Sequence, residues 1–354
     1  MMALTMALVG ESVPKARTGS AMGLLGTMSA IGTTLGPSLG GVLIAASGWR
    51  AIFFIMAPLG LLAFLLAYRA LPADRQKPKT GPDRAGLDGM GMLLLALTLA
   101  AYALAMTVGR GSFGLLNIAL LLAAVFGAGL FVLAEARAKS PLIRLAMFRD
   151  PVLRAGLAMT ALVSTVMMAT LVVGPFYLSR ALGLDAALVG VVMSIGPMIS
   201  ALSGVPAGRI VDRLGAPVTV IAGLAVMAAG SVALSALPSM FGIAGYIAAI
   251  AVLTPGYQLF QAANNTAVMM DVRPDRRGVV SGMLNLSRNL GLLTGASVMG
   301  AVFALASATS DIATAHPDAV AFGMRITFAV AAALIAFALV LAAASRLPRA
   351  EESS

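Results

Sequence analysis

Side chains able to do chemistry are scarce within the apolar stretches of this sequence, and they gather in one of them. The run PGYQLFQAANNTAVMM supplies Tyr257, Gln258, Gln261, Asn264 and Asn265. Gln258, Gln261 and Asn265 share a helical face by their i, i+3, i+7 spacing. An amide without a partner is unfavourable in lipid, so this face is expected to point at protein or at a cavity. Pro255 and Gly256 loosen the helix beside it, and the face is read as a cavity lining, with interhelical hydrogen bonding as the alternative. Arg288, between Asn285 and Asn289 in SGMLNLSRNLG, is the basic residue set well inside an apolar stretch. It either snorkels to the nearer surface or reaches a carboxylate on another helix, and it is grouped with the same cavity. Phe176 and Tyr177 follow Pro175 at the end of another stretch, where they are expected to join an interfacial aromatic belt, or else to stack on a flat cation.

Several chemistries are excluded. There is no cysteine and a single histidine, His316, which removes disulfides and thiolate metal sites and leaves almost no imidazole chemistry. No metal site and no cofactor are expected. No GxxxxGK[ST] string occurs to cradle ATP phosphates. A nucleophile at Ser20 would need His316 as its base, from a loop on the opposite side, so the chain is not expected to be an enzyme.

The elements that must position these residues follow from composition. Of 354 residues, 60% are hydrophobic and 11% charged, and the mean hydropathy is +0.97, far from a water-soluble domain. After a stub over residues 1–9, ten apolar stretches are each long enough to cross a bilayer. They are 21–46, 51–71, 89–108, 113–134, 155–178, 186–207, 217–237, 241–270, 279–306 and 326–344. Backbone groups can be satisfied in lipid within helices, so the predicted fold is an all-α membrane protein with ten full spans and a partial first one.

The net charge of +10 does not make a nucleic-acid binder, because the basic residues lie between the apolar runs and form no single patch. If the spans alternate in direction, 19 of the 24 fall on one side, among them Arg75, Arg144, Arg213 and Arg276. The opposite side holds Arg50, Arg110, Arg180 and Arg325. Basic loops stay cytoplasmic, so the richer side is inside. Twenty arginines against four lysines, with abundant alanine, suggest a GC-rich bacterial genome and hence the bacterial cytoplasmic (inner) membrane.

Two stretches repeat. At an offset of 259, Gly19, Gly23, Gly32, Gly36 and Gly41 fall on Gly278, Gly282, Gly291, Gly295 and Gly300. The second copy follows four complete spans after the basic loop, the first only a stub, so the amino-terminal half is expected to lack three spans and the start of a fourth. The duplication also gives the string VPAGRIVDRLG a role. Gly208, Asp212, Arg213 and Gly215 end one span, and by pseudosymmetry the Asp212 carboxylate is expected at the positive end of the helix starting near Gly19, as a conformational latch. The alternative is a turn merely solubilised by its charges.

In IGTTLGPSLGG, Gly32, Gly36 and Gly40 lie four apart on one face, Gly41 follows, and Pro37 removes a backbone donor in mid-span. Such a run allows close helix approach and imposes a kink. This GxxxGPxxGG string, followed by Gly48, Trp49, Arg50, Ile52, Phe53, Pro58 and Gly60 in SGWRAIFFIMAPLG, resembles the fourteen-span drug:proton antiporters of the major facilitator superfamily. Glu135 with Pro141, Leu142 and Phe148, and the VPAGRIVDRLG loop, are similar to the same branch. The resemblance implies a major facilitator bundle with two extra central helices. Residues 1–71 would be the remnant of the amino-terminal bundle, 72–154 the central loops and inserted pair, 155–345 a carboxy-terminal six-helix bundle, and 346–354 a cytoplasmic tail. It also implies proton-coupled efflux of drugs or amphipathic compounds by alternating access, with a small-molecule substrate, the proton and the lipid bilayer as partners. The family's early acidic residue, first cytoplasmic loop and fourth-helix arginine have no counterpart here, and none of the ten stretches carries a mid-span carboxylate. Export of one endogenous metabolite, or a non-transporting remnant or assembly partner, are the alternatives.

Overall fold

Aspartates open three of the helices. Asp88, Asp150 and Asp185 each accept a 2.8 Å hydrogen bond from a first-turn backbone N–H, at Gly91, Val152 and Leu188, satisfying donors that a helix start leaves bare. The computed structural model describes residues 5–6, 8–9, 13–48, 50–70, 88–108, 114–138, 141–308 and 316–345. The loop carrying Arg75, Lys77, Lys79 and Arg84, together with Lys139, Arg110, Trp49 and the 346–354 tail, lies outside these residues.

Ten helices follow among the described residues. They are α1 (Thr18–Ser47), α2 (Arg50–Ala70), α3 (Gly89–Thr107), α4 (Leu115–Arg137), α5 (Pro151–Phe176) and α6 (Ala186–Leu214), then α7 (216–241) and α8 (243–269). Last come α9 (Arg277–Thr294), prolonged through Gly295–Met299 into Gly300–Ala306, and α10 (Pro317–Ala344). Among the described residues there is no strand. Among the described residues, eight stretches are long and apolar enough to cross a membrane, counting Ala216–Met269 as one.

That stretch of 54 residues would reach about 80 Å as a straight helix, far beyond a bilayer core of about 30 Å. It folds back at Gly242, whose φ of 55° and ψ of −128° belong to glycine. The two arms close on glycines: a Cβ on Gly223 would stand 2.5 Å from Phe260 N, and one on Gly230 2.6 Å from Leu253 Cα. Around this hairpin, α5, α9 and α10 complete an apolar core in which Leu224, Met227, Leu253, Phe303 and Phe328 are fully buried.

The helix ends sort into two layers. Met22, Ile143, Leu153, Val268, Met269 and Val280 meet in one cluster, bringing together the starts of α1, α5 and α9 with the end of α8. Arg144, Arg149, Arg154, Arg273, Arg276 and Arg277 flank it, so this is the basic end. At the opposite end the Tyr177 hydroxyl donates to Pro238 O at 2.8 Å and the Ser235 hydroxyl to Arg325 O at 2.8 Å.

The expectation of an aromatic belt at Tyr177 does not hold. The side chain is buried, parallel to Tyr246 at 6.3 Å between ring centres, and it pins α5 to α7. A buried phenol must find an acceptor, and the carbonyl of Pro238 at the end of α7 supplies one. Phe176 stacks on Phe303 at 6.2 Å.

Helices α3 and α4 form a hairpin clasped by Asn117. Its amide donates to Ala105 O and Val108 O while its carbonyl accepts from Gly114 N. The pair docks on α9, where the Tyr102 and Thr294 hydroxyls meet and Ser297 donates to Met106 O.

Candidate functional site

The site begins with a seam between α1 and α6. A Cβ on Gly23 would run into Gly204 O, one on Gly204 into the Thr27 hydroxyl, and one on Gly208 into Gly19 O. Side chains at these positions would force the backbones apart, so glycine at four-residue spacing on both helices sets the close approach. Above the seam, at the basic end, Asp212 lies at the start of α1. Its Oδ1 accepts from Gly19 N at 2.8 Å and its Oδ2 from Ser20 N at 3.0 Å, with the Ser20 hydroxyl donating to Oδ2 as well. A carboxylate on bare N–H groups at a helix start is favourable both as a hydrogen-bond acceptor and by the dipole. Gly215, at φ 82°, then ends α6 in a turn, and Arg213 is exposed beside it.

Away from the basic end the seam gives way to a cavity of about 300 Å³. It lies between Gly26 and Ala30 of α1, Thr170 of α5, Met193 and Pro197 of α6, Tyr246, Tyr257, Gln258 and Gln261 of α8, and Arg288 of α9. Gln258 forms its floor toward the seam: its amide donates to Ser200 O at 3.0 Å and contacts the Ser200 hydroxyl, and its Oε1 lies 3.0 Å from where a Cβ on Gly26 would begin. Two tyrosines, two glutamine amides and one guanidinium among apolar walls can stack on a flat ring, hydrogen-bond its edge and meet negative charge.

The polar residues picked out in the sequence therefore divide. Tyr257, Gln258, Gln261 and Arg288 border the cavity. Tyr257, Gln261 and Arg288 also border a small crevice nearer the basic end, which Asn264 and Asn265 line without reaching the larger space. Asn264 is an interhelical tie, donating to Gly156 O at 3.1 Å and to the Thr160 hydroxyl at 2.9 Å. Gly32 is exposed, with nothing within 4 Å of where a side chain would start. The surroundings of Gly36, Pro37, Gly40 and Gly41 lie outside the described residues, although the α1 backbone runs helical through them. Sequence reasoning missed Gly204 and Tyr246. The spacing of Gly204 and Gly208 was a usable signal; Tyr246 carried none, being one aromatic in an apolar run.

The duplicated copy differs from the first. Gly278 and Gly282, equivalent to Gly19 and Gly23, have nothing within 4 Å, whereas Gly291 and Gly295 pack against α5 at Ala161 and Thr165.

A family model described as Major Facilitator Superfamily matches residues 1–296. The riboflavin transporter RibZ of Clostridioides difficile is 26% identical over 341 residues, covering 96% of this chain and 73% of that protein. The drug efflux pump JefA of Mycobacterium tuberculosis is 32% identical over 339 residues, 90% of this chain and 63% of the pump. The chain spans 55% to 73% of the length of three such relatives. Among solved structures, the nucleoside transporter NupG superposes with a TM-score of 0.50 at 14% identity, over 97% of this chain and 87% of that one, a likeness of fold.

Proposed function

Since the chain belongs to the major facilitator superfamily, we propose that it acts as a secondary active exporter of drugs or amphipathic compounds, driven by protons through alternating access. The observation that carries this reading is a cavity bordered by α1 and α6, the two helices that meet at the basic end through the glycine seam and the Asp212 contact. A barrier at one end of a central cavity, held by a few breakable hydrogen bonds, is what a rocking transporter needs. In the closed arrangement Asp212 serves as the latch, with Gly208 and Gly215 giving it room. When the latch parts, α1 and α6 separate and the cavity meets the basic side.

The rest of the reading follows the sequence. We take the basic end as cytoplasmic, the protein as multi-pass in the bacterial inner membrane, and the helices as ten crossings of a fourteen-span architecture. In it α3 and α4 are the inserted pair and residues 155–345 the carboxy-terminal bundle. Tyr246, Tyr257, Gln258, Gln261 and Arg288 bind substrate. The name of the JefA pump supports drugs as cargo. The name of the RibZ transporter, with the tyrosines and amides of the cavity, supports a second reading in which the cargo is a single flat, hydrogen-bonding metabolite. The proton rests on the resemblance to drug:proton antiporters.

Everted membrane vesicles test the proposal. An energised preparation containing the chain is expected to accumulate a fluorescent amphipathic dye and to lose it on adding a protonophore. Dye uptake blocked by micromolar riboflavin would favour the single-metabolite reading. Uptake no greater than in vesicles lacking the chain contradicts transport and favours a non-transporting assembly partner.

A further inference from the structure

Two carboxylates at the foot of the α3–α4 hairpin each keep one oxygen without a partner. Asp88 caps α3 through Oδ1, which accepts from Gly91 N at 2.8 Å. Glu135, near the end of α4 and only 3% exposed, accepts through Oε2 from Ile143 N at 3.1 Å. Asp88 Oδ2 and Glu135 Oε1 are both buried and make no hydrogen bond. Each lies 2.6 Å from the point at which a Cβ on Gly91 would begin. The two oxygens are therefore at most about 5 Å apart, the range in which like charges interact strongly.

Among the described residues, nothing nearby offsets this charge. The charged groups on the packed elements are Arg137 of α4, Arg144, Arg149 and Asp150 of the segment before α5, and Arg154 of α5. All are exposed, and among the described residues neither carboxylate has an ion-pair partner. Helix α3 carries no charge; α9, which it touches, brings Arg277, bonded to Val272 O, and Arg288 at the cavity. Buried carboxylates are paired or coordinate metals. One hydrogen bond from a backbone N–H to each leaves a free oxygen on each, and both free oxygens point to the same place.

We propose that Asp88 Oδ2 and Glu135 Oε1 together bind one hard divalent cation of the magnesium or calcium kind, which staples the start of α3 to the end of α4, where Glu135 also holds Ile143 of the segment before α5. Donor chemistry selects the class, because carboxylate oxygens suit hard cations and two negative charges match a divalent one. Ion–oxygen distances of about 2.0–2.6 Å span such a pair, with water reaching from the half-buried Asp88 side to complete the coordination. Gly91 is required because a side chain there would stand between the two oxygens. The site is remote from the cavity and independent of the transport reading.

The test uses the purified full chain, stripped with a chelator, with Mn²⁺ as the hard divalent probe followed by paramagnetic resonance. One Mn²⁺ per chain is expected, displaced by excess Mg²⁺ or Ca²⁺, with an unfolding midpoint raised by about 3–5 °C on adding either ion. Glu135→Gln and Asp88→Asn should each weaken binding at least about tenfold and erase the midpoint shift. Asp275→Asn, at an exposed acid, should change neither. Asn remains a good helix cap and Gln can still accept from Ile143 N, and the stoichiometry of the unsubstituted chain is decisive even if a variant fails to fold. Absence of bound Mn²⁺, equal binding by the Asp88 and Glu135 variants, or a midpoint that follows pH but not cation, the mark of a shared proton, would overturn the proposal.

Discussion

At the scale of single residues, Asp212 carries the most consequence. Its carboxylate takes two backbone N–H groups and a hydroxyl at one helix start, and a hydrogen bond to a charged group contributes about 1.5–3 kcal/mol. Asp212→Asn keeps the shape but removes the charge, and the closed arrangement should lose on the order of tenfold in population, since about 1.4 kcal/mol is a factor of ten. The initial rate of dye uptake in everted vesicles should fall by about that factor, while the KM stays close to that of the unsubstituted chain. Asn264 presents the opposite case, a tie between α8 and α5 that does not reach the larger cavity. Asn264→Ala should cost about 1 kcal/mol and lower the unfolding midpoint by roughly 2–4 °C, with dye affinity unchanged.

Among the elements, glycine placement decides which helices can touch. Gly23→Leu should push α1 from α6 and abolish transport, because a side chain there meets the backbone of Gly204. Gly32→Leu, on the same helix with open space around it, should transport within about twofold of the parent, since substitutions away from packed features usually cost little. A pair of uptake measurements separates the two. Gly242→Ala forces a side chain into a conformation that glycine alone adopts easily, and should destabilise the chain by about 1–3 kcal/mol, read as a lower unfolding midpoint. These elements were only partly legible in the sequence. The stretches read at 51–71 and 89–108 match α2 and α3 to within a residue, and at the start of α3 the Asp88 cap coincides with the hydropathy edge. The last one, read as beginning at Ile326, starts at Pro317 instead, since a helix continues past Asp318 and Arg325 that a hydropathy window penalises. The GxxxG reading took in Gly32, Gly36 and Gly40, of which Gly32 has open space and the surroundings of the others lie outside the described residues, while a close approach not expected from it falls at Gly19 and Gly23. Which face of a helix meets a neighbour depends on a partner far along the chain, here Gly204 and Gly208.

For the whole molecule, the charge pattern carried the most information. Loops rich in arginine were expected on one side, and the cluster at Met22, Leu153, Val268 and Val280 gathers those helix ends together. The position of Asp212 at the start of α1 could be reasoned from the internal repeat and from the pull of a helix start on a carboxylate, although the two copies do not share the packing at Gly19 and Gly23. The cavity could not, since its walls come from α1, α5, α6, α8 and α9, and only the polar residues on α8 and α9 stood out from their surroundings.

The central claim, that the α1–α6 seam and Asp212 bar the cavity from the basic side, is most directly tested by thiol labelling. The chain has no cysteine, so Leu292→Cys places a single reactive group on the cavity wall. In everted vesicles a membrane-impermeant thiol reagent should react slowly with this variant, and at least about tenfold faster when Asp212→Asn or Gly23→Leu is added. Equal rates in all three, or rapid reaction with Leu292→Cys alone, would contradict the account.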